Sequence, residues 1–229
     1  MVITIDGLGV NGKSTLTKRI SSKLNFKNFN TGAIYRCIAL YIIEKELNID
    51  NIDDVLKNIN QMEIDFQNDR VYLNKKDVTS KIRTEQISVY STKWATIPKI
   101  KEFVRNFQRD FIEKNNTVME CRDIATRIAP NAEVKFYLYS DFETRVKRLW
   151  NENTQISIDE IRENLKIRDD LDLNGGNFVN PIDAIEIDTT NYTLDEVYQI
   201  MMDEINKIIK WTITLETLIL KPKCDILSK

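Results

Sequence analysis

The residues best suited to chemistry lie near the start of the chain, in the run of residues 7–14. This run fits the pattern G-x-x-x-x-G-K-[ST]. A short apolar segment, residues 2–5, precedes it and a helix-like segment follows it, which is the strand–loop–helix context that the pattern requires. Glycines let the backbone curl around an anion with its N–H groups inward, and the helix N-terminus adds a positive dipole end. The spacing therefore predicts a loop, called a P-loop, that binds the phosphates of a nucleoside triphosphate.

Two side chains of this loop have distinct expected roles. Lys13 would reach the β- and γ-phosphates, and the Ser14 hydroxyl would hold Mg²⁺. The alternative is a surface turn with a chance Gly-Lys-Ser, but three of the chain's 6 glycines fall in this loop. The residues expected to contact the phosphates of ATP are Gly7, Gly9, Asn11, Gly12, Lys13, Ser14 and Thr15.

Composition limits the possible partners and chemistries. A chain of 229 residues with 42% hydrophobic content can form one α/β domain, or a core with insertions. A net charge of −2 gives no basic footprint, so we expect no nucleic-acid polymer as a partner. No apolar run reaches transmembrane length and no signal-peptide pattern is present, so we expect no membrane partner and a cytoplasmic location.

Cysteine and histidine usage excludes several catalytic classes. Cys37, Cys121 and Cys224 form an odd set without C-x-x-C spacing, which indicates free thiols. The chain has no histidine, which excludes Ser-His-Asp and Cys-His catalysis. Phosphoryl transfer loses nothing by this, since it depends on lysine, arginine and Mg²⁺.

Strand-like and helix-like segments alternate along the chain. This alternation predicts an α/β fold with a parallel sheet flanked by helices, and a small hairpin at residues 64–73. Residues 211–229 fall outside the pattern and are open to interpretation as an edge strand, a dimer contact or a loose tail. The predicted core strands are 2–5, 27–29, 117–119, 134–138 and 184–187, and the predicted helices are 13–24, 33–47, 53–59, 84–95, 99–113, 141–152, 157–170 and 193–209.

Several segments beyond the P-loop resemble the bacterial cytidylate kinases, over roughly residues 1–210. The P-loop alone is generic, but residues 71–84 resemble a small insertion that other nucleoside-monophosphate kinases lack. The segments that carry the resemblance are residues 3–7, Thr31-Gly-Ala-Ile-Tyr-Arg36, 71–74, 77–79, 82–84, 122–124, 131–135 and 188–191.

The resemblance implies a three-part architecture and a reaction. The P-loop kinase core would comprise residues 1–36, 116–152 and 181–210, with an acceptor-nucleotide-binding insertion at 37–115 and a short lid at 153–180. Residues 211–229 would be a C-terminal tail of unknown role. The reaction would transfer the γ-phosphoryl group of MgATP to CMP or dCMP, giving ADP and CDP or dCDP. The resemblance also implies Mg²⁺ as cofactor, and we expect a monomer.

The resemblance also implies how the acceptor nucleotide is held. Arg36 and Arg122 would grip its phosphate, although either could be an exposed surface charge. Asp123 would accept a hydrogen bond from the cytosine amino group, with Arg109 donating to the base and Thr92 placing a hydroxyl there. The alternatives are a helix N-terminal charge for Asp123 and plain surface positions for Arg109 and Thr92.

Further side chains complete the implied site. Thr31 would bond the acceptor phosphate or ribose, or cap the helix that follows, and both can hold together. Arg145 and Arg148 would approach ATP near the lid, or form a solvated charged face. Arg168 and Asp172 would contact the acceptor ribose and phosphate, or lie on a charged surface. The residues implied in catalysis are Lys13, Arg122 and Arg168.

Some positions depart from the family pattern. The lid motif R-D-x-R-D-x-N-R reads Arg168-Asp-Asp-Leu-Asp-Leu-Asn-Gly175, so two arginines have become Leu171 and Gly175. Lost phosphate contacts would slow transfer, so one alternative is a nucleotide-binding kinase homologue with little turnover. A separate alternative is a P-loop kinase for another small acceptor. Glu120 and Asp6 could orient Mg²⁺ through water, or cap a helix or loop.

Overall fold

The structure is a computed structural model that describes residues 1–67, 70–152, 157–174 and 183–219. Within these ranges helices and strands alternate, and a 3₁₀ turn covers Lys81–Arg83. The strands are β1 (Val2–Asp6), β2 (Lys27–Asn30), β3 (Ile64–Gln67), β4 (Arg70–Leu73), β5 (Lys76–Asp77), β6 (Thr117–Glu120), β7 (Val134–Tyr139) and β8 (Ile185–Asp188). The helices are α1 (Lys13–Leu24), α2 (Thr31–Glu44), α3 (Ile52–Ile59), α4 (Glu85–Trp94), α5 (Pro98–Lys114), α6 (Ile124–Arg127), α7 (Phe142–Glu152), α8 (Ile158–Asn174) and α9 (Leu194–Ile219).

The central sheet confirms the predicted parallel α/β core. Its strands lie in the order β2-β6-β1-β7-β8, and every pairing is parallel. Ile5 pairs with Glu120 and Asp6 pairs with Tyr137, so the carboxyl ends of the three central strands meet at one edge. In open parallel sheets this edge is where ligands bind.

A second, smaller sheet lies within the predicted insertion. Strands β3, β4 and β5 pair antiparallel, with Ile64 opposite Leu73, which confirms the predicted hairpin. Residues 68–69, which were expected to join the two strands, lie outside the described residues. Phe66 of this sheet packs on Phe29 of β2, with ring centroids 5.3 Å apart, and both belong to one apolar cluster. The insertion therefore shares a continuous core with the central sheet.

Helix α2 joins the two parts without a break. It is buried along most of its length, which fits its mostly apolar sequence. The expected boundary between residues 36 and 37 falls inside this helix. The predicted insertion is therefore connected to the core through a packed helix.

The start of the C-terminal segment, residues 211–219, is helical and does not form the edge strand that was one interpretation of the sequence. Helix α9 continues to Ile219, so the edge-strand interpretation is wrong for these residues. Trp211 is 69% exposed at this extension. Residues 220–229 lie outside the described residues, as do 153–156 and 175–182 of the expected lid and core boundary. Within the described part of the chain, no helix combines the length and apolar character that a membrane span requires.

Candidate active site

The P-loop connects β1 to α1 and is fastened to the neighbouring strand β7. Gly12 has φ +76°, and a Cβ on Gly7, where φ is +142°, would collide with the carbonyl oxygen of Leu138. Both positions therefore require glycine. Asn11 Nδ2 donates to the carbonyls of Leu8 and Leu138, each at 3.2 Å. The loop thus keeps its curled shape through its own backbone and through β7.

Lys13 is the buried cation of this loop. Its side chain is 6% exposed, and Nζ donates to the carbonyl of Leu8 at 2.6 Å. Burial, followed by the nearby charge of Arg122, lowers the pKa of Lys13 to about 8. The ammonium group is therefore still mostly protonated at neutral pH, and an arriving phosphate would stabilise its charge.

Ser14 and Glu120 face each other at the end of the sheet. Ser14 Oγ donates to Glu120 Oε1 at 2.5 Å. A hydroxyl and a carboxylate beside a phosphate loop are the oxygen donors that Mg²⁺ takes together with waters and substrate phosphates. This pair fits the cation that the sequence implied.

Asp6 serves the backbone instead. Its two carboxylate oxygens accept the N–H groups of Ile124 and Ala125, at 3.0 and 2.8 Å. Burial raises the pKa of Asp6 to about 6. These contacts agree with the alternative that Asp6 caps a helix or loop. The carboxylate holds the segment that follows β6 in place.

One cavity of about 620 Å³ brings the P-loop together with the expected acceptor residues. This volume suits a ligand of nucleotide size. Its walls come from α1, α2, the end of β6 and α8. The lining residues include Gly9, Gly12, Lys13, Ser14, Thr15, Thr31, Arg36, Glu120, Arg122 and Arg168.

Helix α8 supplies two of the charged groups at this cavity. Arg122 Nε lies 2.6 Å from Asp172 Oδ2 in an ion pair. Burial opposes the charge of Arg122, but the hydrogen bond and charge of Asp172 outweigh it and raise the pKa of Arg122. The Arg168 guanidinium carbon lies 3.5 Å from where a Cβ on Gly9 would stand. Partial burial and the charge of Arg122 lower the pKa of Arg168. Two arginines thus converge beside the phosphate loop.

Helix α2 supplies Thr31 and Arg36. The N-cap of α2 is Asn30, whose Oδ1 accepts the N–H of Ala33 at 3.0 Å, so the interpretation of Thr31 as the cap is wrong. The hydroxyl of Thr31 instead accepts a hydrogen bond from Gln108 Nε2 at 3.0 Å. Arg36 lines the cavity, and it forms no ion pair with any residue that the structure describes.

The sequence profile of the cytidylate kinase family matches residues 3–207. The chain belongs to the cytidylate kinase family. It is 36% identical to the cytidylate kinase of Fusobacterium nucleatum over 216 residues, covering 91% of this chain and 98% of that protein. It is 34% identical to the cytidylate kinase of Thermotoga maritima over 217 residues, covering 91% and 96%. The crystal structure of an uncharacterised protein from Eubacterium ventriosum shares the fold, with a TM-score of 0.52 and 17% identity, covering 90% of this chain and 98% of that one.

At the expected base position of this cytidylate kinase family member, Asp123 has basic neighbours. Its carboxylate pairs with Arg127 Nε at 3.0 Å. Burial raises the pKa of Asp123, and the charges of Arg127, Arg105, Arg122 and Lys101 oppose that rise. Lys101 and Arg105 lie on α5, four residues apart and therefore on one face. This face was missed at the sequence level, although the spacing was visible.

Arg109 and Thr92 are placed differently from Asp123. Arg109 donates to Asn106 Oδ1 at 3.0 Å and to the carbonyl of Arg127 at 3.3 Å. It is not among the charges that act most on Asp123, nor among the residues lining the cavity. Thr92 is exposed on α4. The structure thus brings neither side chain into the cavity beside the P-loop.

Arg145 and Arg148 of α7 tie elements together. Arg145 is 5% exposed and forms a two-pronged pair with Asp169 of α8, at 3.0 and 2.7 Å. The interpretation of Arg145 as a solvated charge is therefore wrong. Arg148 donates to the carbonyl and the hydroxyl of Thr189, after β8, and to Ser140 Oγ. Neither arginine lines the cavity beside the P-loop.

The departures from the family pattern fall at the margin of what the structure describes. Gly175 lies outside the described residues, and so does the side chain of Leu171. Cys121 and Cys37 are free thiols, as expected, while Cys224 lies outside the described residues. Burial raises the pKa of Cys121 to about 11, so this thiol next to Arg122 stays protonated at neutral pH.

Proposed function

We propose that this protein is a phosphotransferase that moves the γ-phosphoryl group of MgATP to CMP or dCMP, giving ADP and CDP or dCDP. The observation that carries the proposal is a single cavity joining Lys13 of the P-loop to Arg36, Arg122 and Arg168. Two polyanions must meet for this reaction, and a cavity with cations on both sides offsets their repulsion. Membership of the cytidylate kinase family supports cytidine nucleotides as the acceptors.

The donor side of the proposal consists of the P-loop and the pair formed by Ser14 and Glu120. The backbone of residues 7–15 would hold the phosphates of ATP, with Lys13 on the β- and γ-phosphates. Ser14 would ligate Mg²⁺, with Glu120 acting directly or through water. When bound, this cation neutralises charge on the phosphate oxygens. Arg145 and Arg148 would support this side indirectly, since their described contacts are with protein groups.

The acceptor side would hold the nucleotide by its phosphate and its base. Thr31, Arg36, Arg122 and Arg168 would hold the phosphate, and Asp172 would contact the ribose as the phosphate takes over Arg122. Asp123 would accept from the cytosine amino group. The charges of Lys101 and Arg105 on α5 would help to keep this carboxylate ionised. Arg109 and Thr92 remain in the proposal from the resemblance alone.

The transfer itself follows from this placement. A phosphate oxygen of the acceptor forms a bond to the γ-phosphorus while the bond from that phosphorus to the β–γ bridging oxygen breaks. ADP leaves with the electron pair of that bond. Negative charge spreads over the transferred group, and Lys13 and Arg168, which both line the cavity, would stabilise it.

The parts of the chain would divide this work. We assign the core to residues 1–36, 116–152 and 181–210, the acceptor-binding insertion to 37–115 and the lid to 153–180. Helix α8 would carry the lid, and its Arg168 and Asp172 would follow any movement of that segment. We further propose that the enzyme is a monomer and that it is located in the cytoplasm.

A coupled assay at fixed MgATP tests the proposal by comparing CMP, dCMP, UMP, AMP and shikimate as acceptors. We expect turnover of CMP or dCMP at about 1–100 per second, and far less with the other acceptors. Absence of turnover with both cytidine nucleotides would overturn it. Binding of CMP without turnover would favour the alternative that this protein is a nucleotide-binding kinase homologue with little activity, as the replacement of two lid arginines by Leu171 and Gly175 suggested.

Base recognition has its own test. Asp123→Ala should weaken CMP binding by about 1–3 kcal/mol, because the amino group loses its acceptor. Asp110→Ala, an exposed aspartate on α5, is the matched control and should leave affinity unchanged. Equal CMP affinity in Asp123→Ala and the parent protein would refute the role of this carboxylate.

A further inference from the structure

The buried face of α5 contains one polar residue where packing alone would favour an apolar one. Its buried positions are Ile100, Val104 and Gln108, spaced four residues apart along one face. Gln108 is only 3% exposed. Burial of an amide is unfavourable unless the amide is hydrogen-bonded. The hydrogen-bond partner of Gln108 therefore matters more than its packing.

The hydrogen bond made by Gln108 fixes the direction of a neighbouring hydroxyl group. Gln108 Nε2 donates to Thr31 Oγ1 at 3.0 Å. A threonine hydroxyl has a single hydrogen and two lone pairs. Because the amide nitrogen occupies a lone pair, the hydrogen of Thr31 must point elsewhere.

The cavity offers a direction in which that hydrogen can be donated. Asn30 already caps α2, so the hydroxyl of Thr31 is not used at the helix N-terminus. Thr31 lines the same cavity as Arg36 and Arg122. Its hydroxyl can therefore donate to an anion that binds in this cavity.

We propose that Gln108 is a positioning residue that orients the Thr31 hydroxyl as a hydrogen-bond donor to the phosphate of the acceptor nucleotide. This inference rests on the proposed function, because the cavity is taken to bind that phosphate. Gln108 acts through Thr31 and does not itself touch the substrate. The same contact gives helix α5, which also carries Lys101 and Arg105, a connection to the acceptor phosphate.

Reversing the polarity of this hydrogen bond tests the proposal. In Gln108→Glu the carboxylate accepts the hydrogen of Thr31, so the hydroxyl can no longer donate to the phosphate. We expect the CMP dissociation constant and the KM for CMP to rise about tenfold, as they should in Thr31→Val. The KM for ATP should stay within about twofold in both variants.

Two further variants separate positioning from packing and from charge repulsion. Gln108→Met keeps the side-chain length and leaves the hydroxyl free to rotate, so CMP affinity should fall by less than about threefold. In the Thr31→Val background, Gln108→Glu should add less than about twofold, since no hydroxyl remains to be misdirected. Isothermal titration with CMP and steady-state kinetics measure each value, and thermal unfolding checks that each variant is folded.

Three results would overturn the inference. Unchanged CMP affinity in Gln108→Glu would show that Thr31 already donates to the side-chain oxygen. A full additional loss in the Thr31→Val background would assign the effect to charge repulsion. An equal loss of CMP affinity in Gln108→Met would reduce Gln108 to a packing contact. If Gln108→Glu does not fold, the double variant Gln108→Met/Thr31→Val replaces it. Coupling between these two substitutions would show that Gln108 acts through Thr31, without introducing a new charge.

The two proposals fail in different ways. If the parent protein neither binds nor phosphorylates CMP, the proposed function fails and the role of Gln108 fails with it. If the parent protein phosphorylates CMP and Gln108→Glu has the same KM for CMP, only the role of Gln108 fails.

Discussion

The two ends of the cavity are built in different ways. The P-loop end comes from consecutive residues, 7–15, whose cation Lys13 is buried and bonded within the loop. The opposite end takes Arg36 from α2, Arg122 from the segment after β6 and Arg168 from α8. The proposed donor end is therefore preorganised by local structure, whereas the proposed acceptor end depends on how distant elements pack.

The largest expected effect is at the preorganised end. Lys13→Ala should lower kcat about a thousandfold, because the ammonium group would stabilise charge on the transferred phosphoryl group. The coupled assay with CMP measures it. Lys23→Ala, an exposed lysine on the same helix, is the control and should keep full activity. A Lys13→Ala enzyme within tenfold of the parent would contradict the assignment of the donor end.

The packing that sets the acceptor end can be broken through α8. Arg145→Met leaves Asp169 buried without its partner, so the free energy of unfolding should fall by about 3 kcal/mol. Urea denaturation measures it, and Arg145→Met/Asp169→Leu should recover most of the loss. Arg162→Met, whose ion pairs with Glu143 and Asp159 are more exposed, should lower the free energy of unfolding far less. A stable Arg145→Met protein with a sharply raised KM for ATP would instead make Arg145 a direct ATP ligand.

A substitution at Arg122 should affect the binding of CMP and leave the binding of ATP unchanged. Arg122→Lys keeps the charge and loses the forked geometry, so we expect the KM for CMP to rise roughly thirtyfold, equivalent to a loss of about 2 kcal/mol in binding free energy. The KM for ATP should stay within about twofold, because the P-loop is unchanged. Arg19→Lys, on the surface of α1, is the control. Equal effects on both substrates would remove the distinction between the ends.

The smallest effect concerns pH. Since burial lowers the pKa of Lys13 to about 8, the free protein loses the cation of the donor end as pH rises beyond that value. ATP should bind the protonated form, so its affinity should be nearly constant below pH 8 and about tenfold weaker at pH 9. Titration with MgATP at pH 7, 8 and 9 measures this. Lys13→Arg should bind with little change over this range, and a pH-independent affinity in the parent protein would refute the lowered pKa.

Prediction from sequence succeeded where neighbours in the chain determine the structure. The P-loop context, the parallel core strands and the hairpin at residues 64–73 depend on local spacing and alternation. The surroundings of Asp123 were harder to predict, because they depend on how α5 packs. Arg109 and Arg105 are both on α5, whose buried face contains Ile100 and Val104, and the charge of Arg105 is among those that oppose the rise in the pKa of Asp123.

Helix ends were harder for the same reason. The sequence left the capping of α2 open, and the choice of Asn30 over Thr31 depends on the path by which β2 enters the helix. Because Asn30 caps the helix, the hydroxyl of Thr31 can accept a hydrogen bond from Gln108, which lies 77 residues away in the chain. A contact at such separation has no local signal.

The sequence by itself determined the phosphate loop, the alternation of strands and helices and the absence of histidine chemistry, because these depend on residue type and short-range spacing. Only the tertiary structure decided which charges meet. Arg145 was buried against Asp169, Arg122 was paired with Asp172, and Gln108 was aimed at Thr31. The physical reason is that ion pairs and hydrogen bonds act over a few ångströms, and packing of distant elements alone brings these groups within that range.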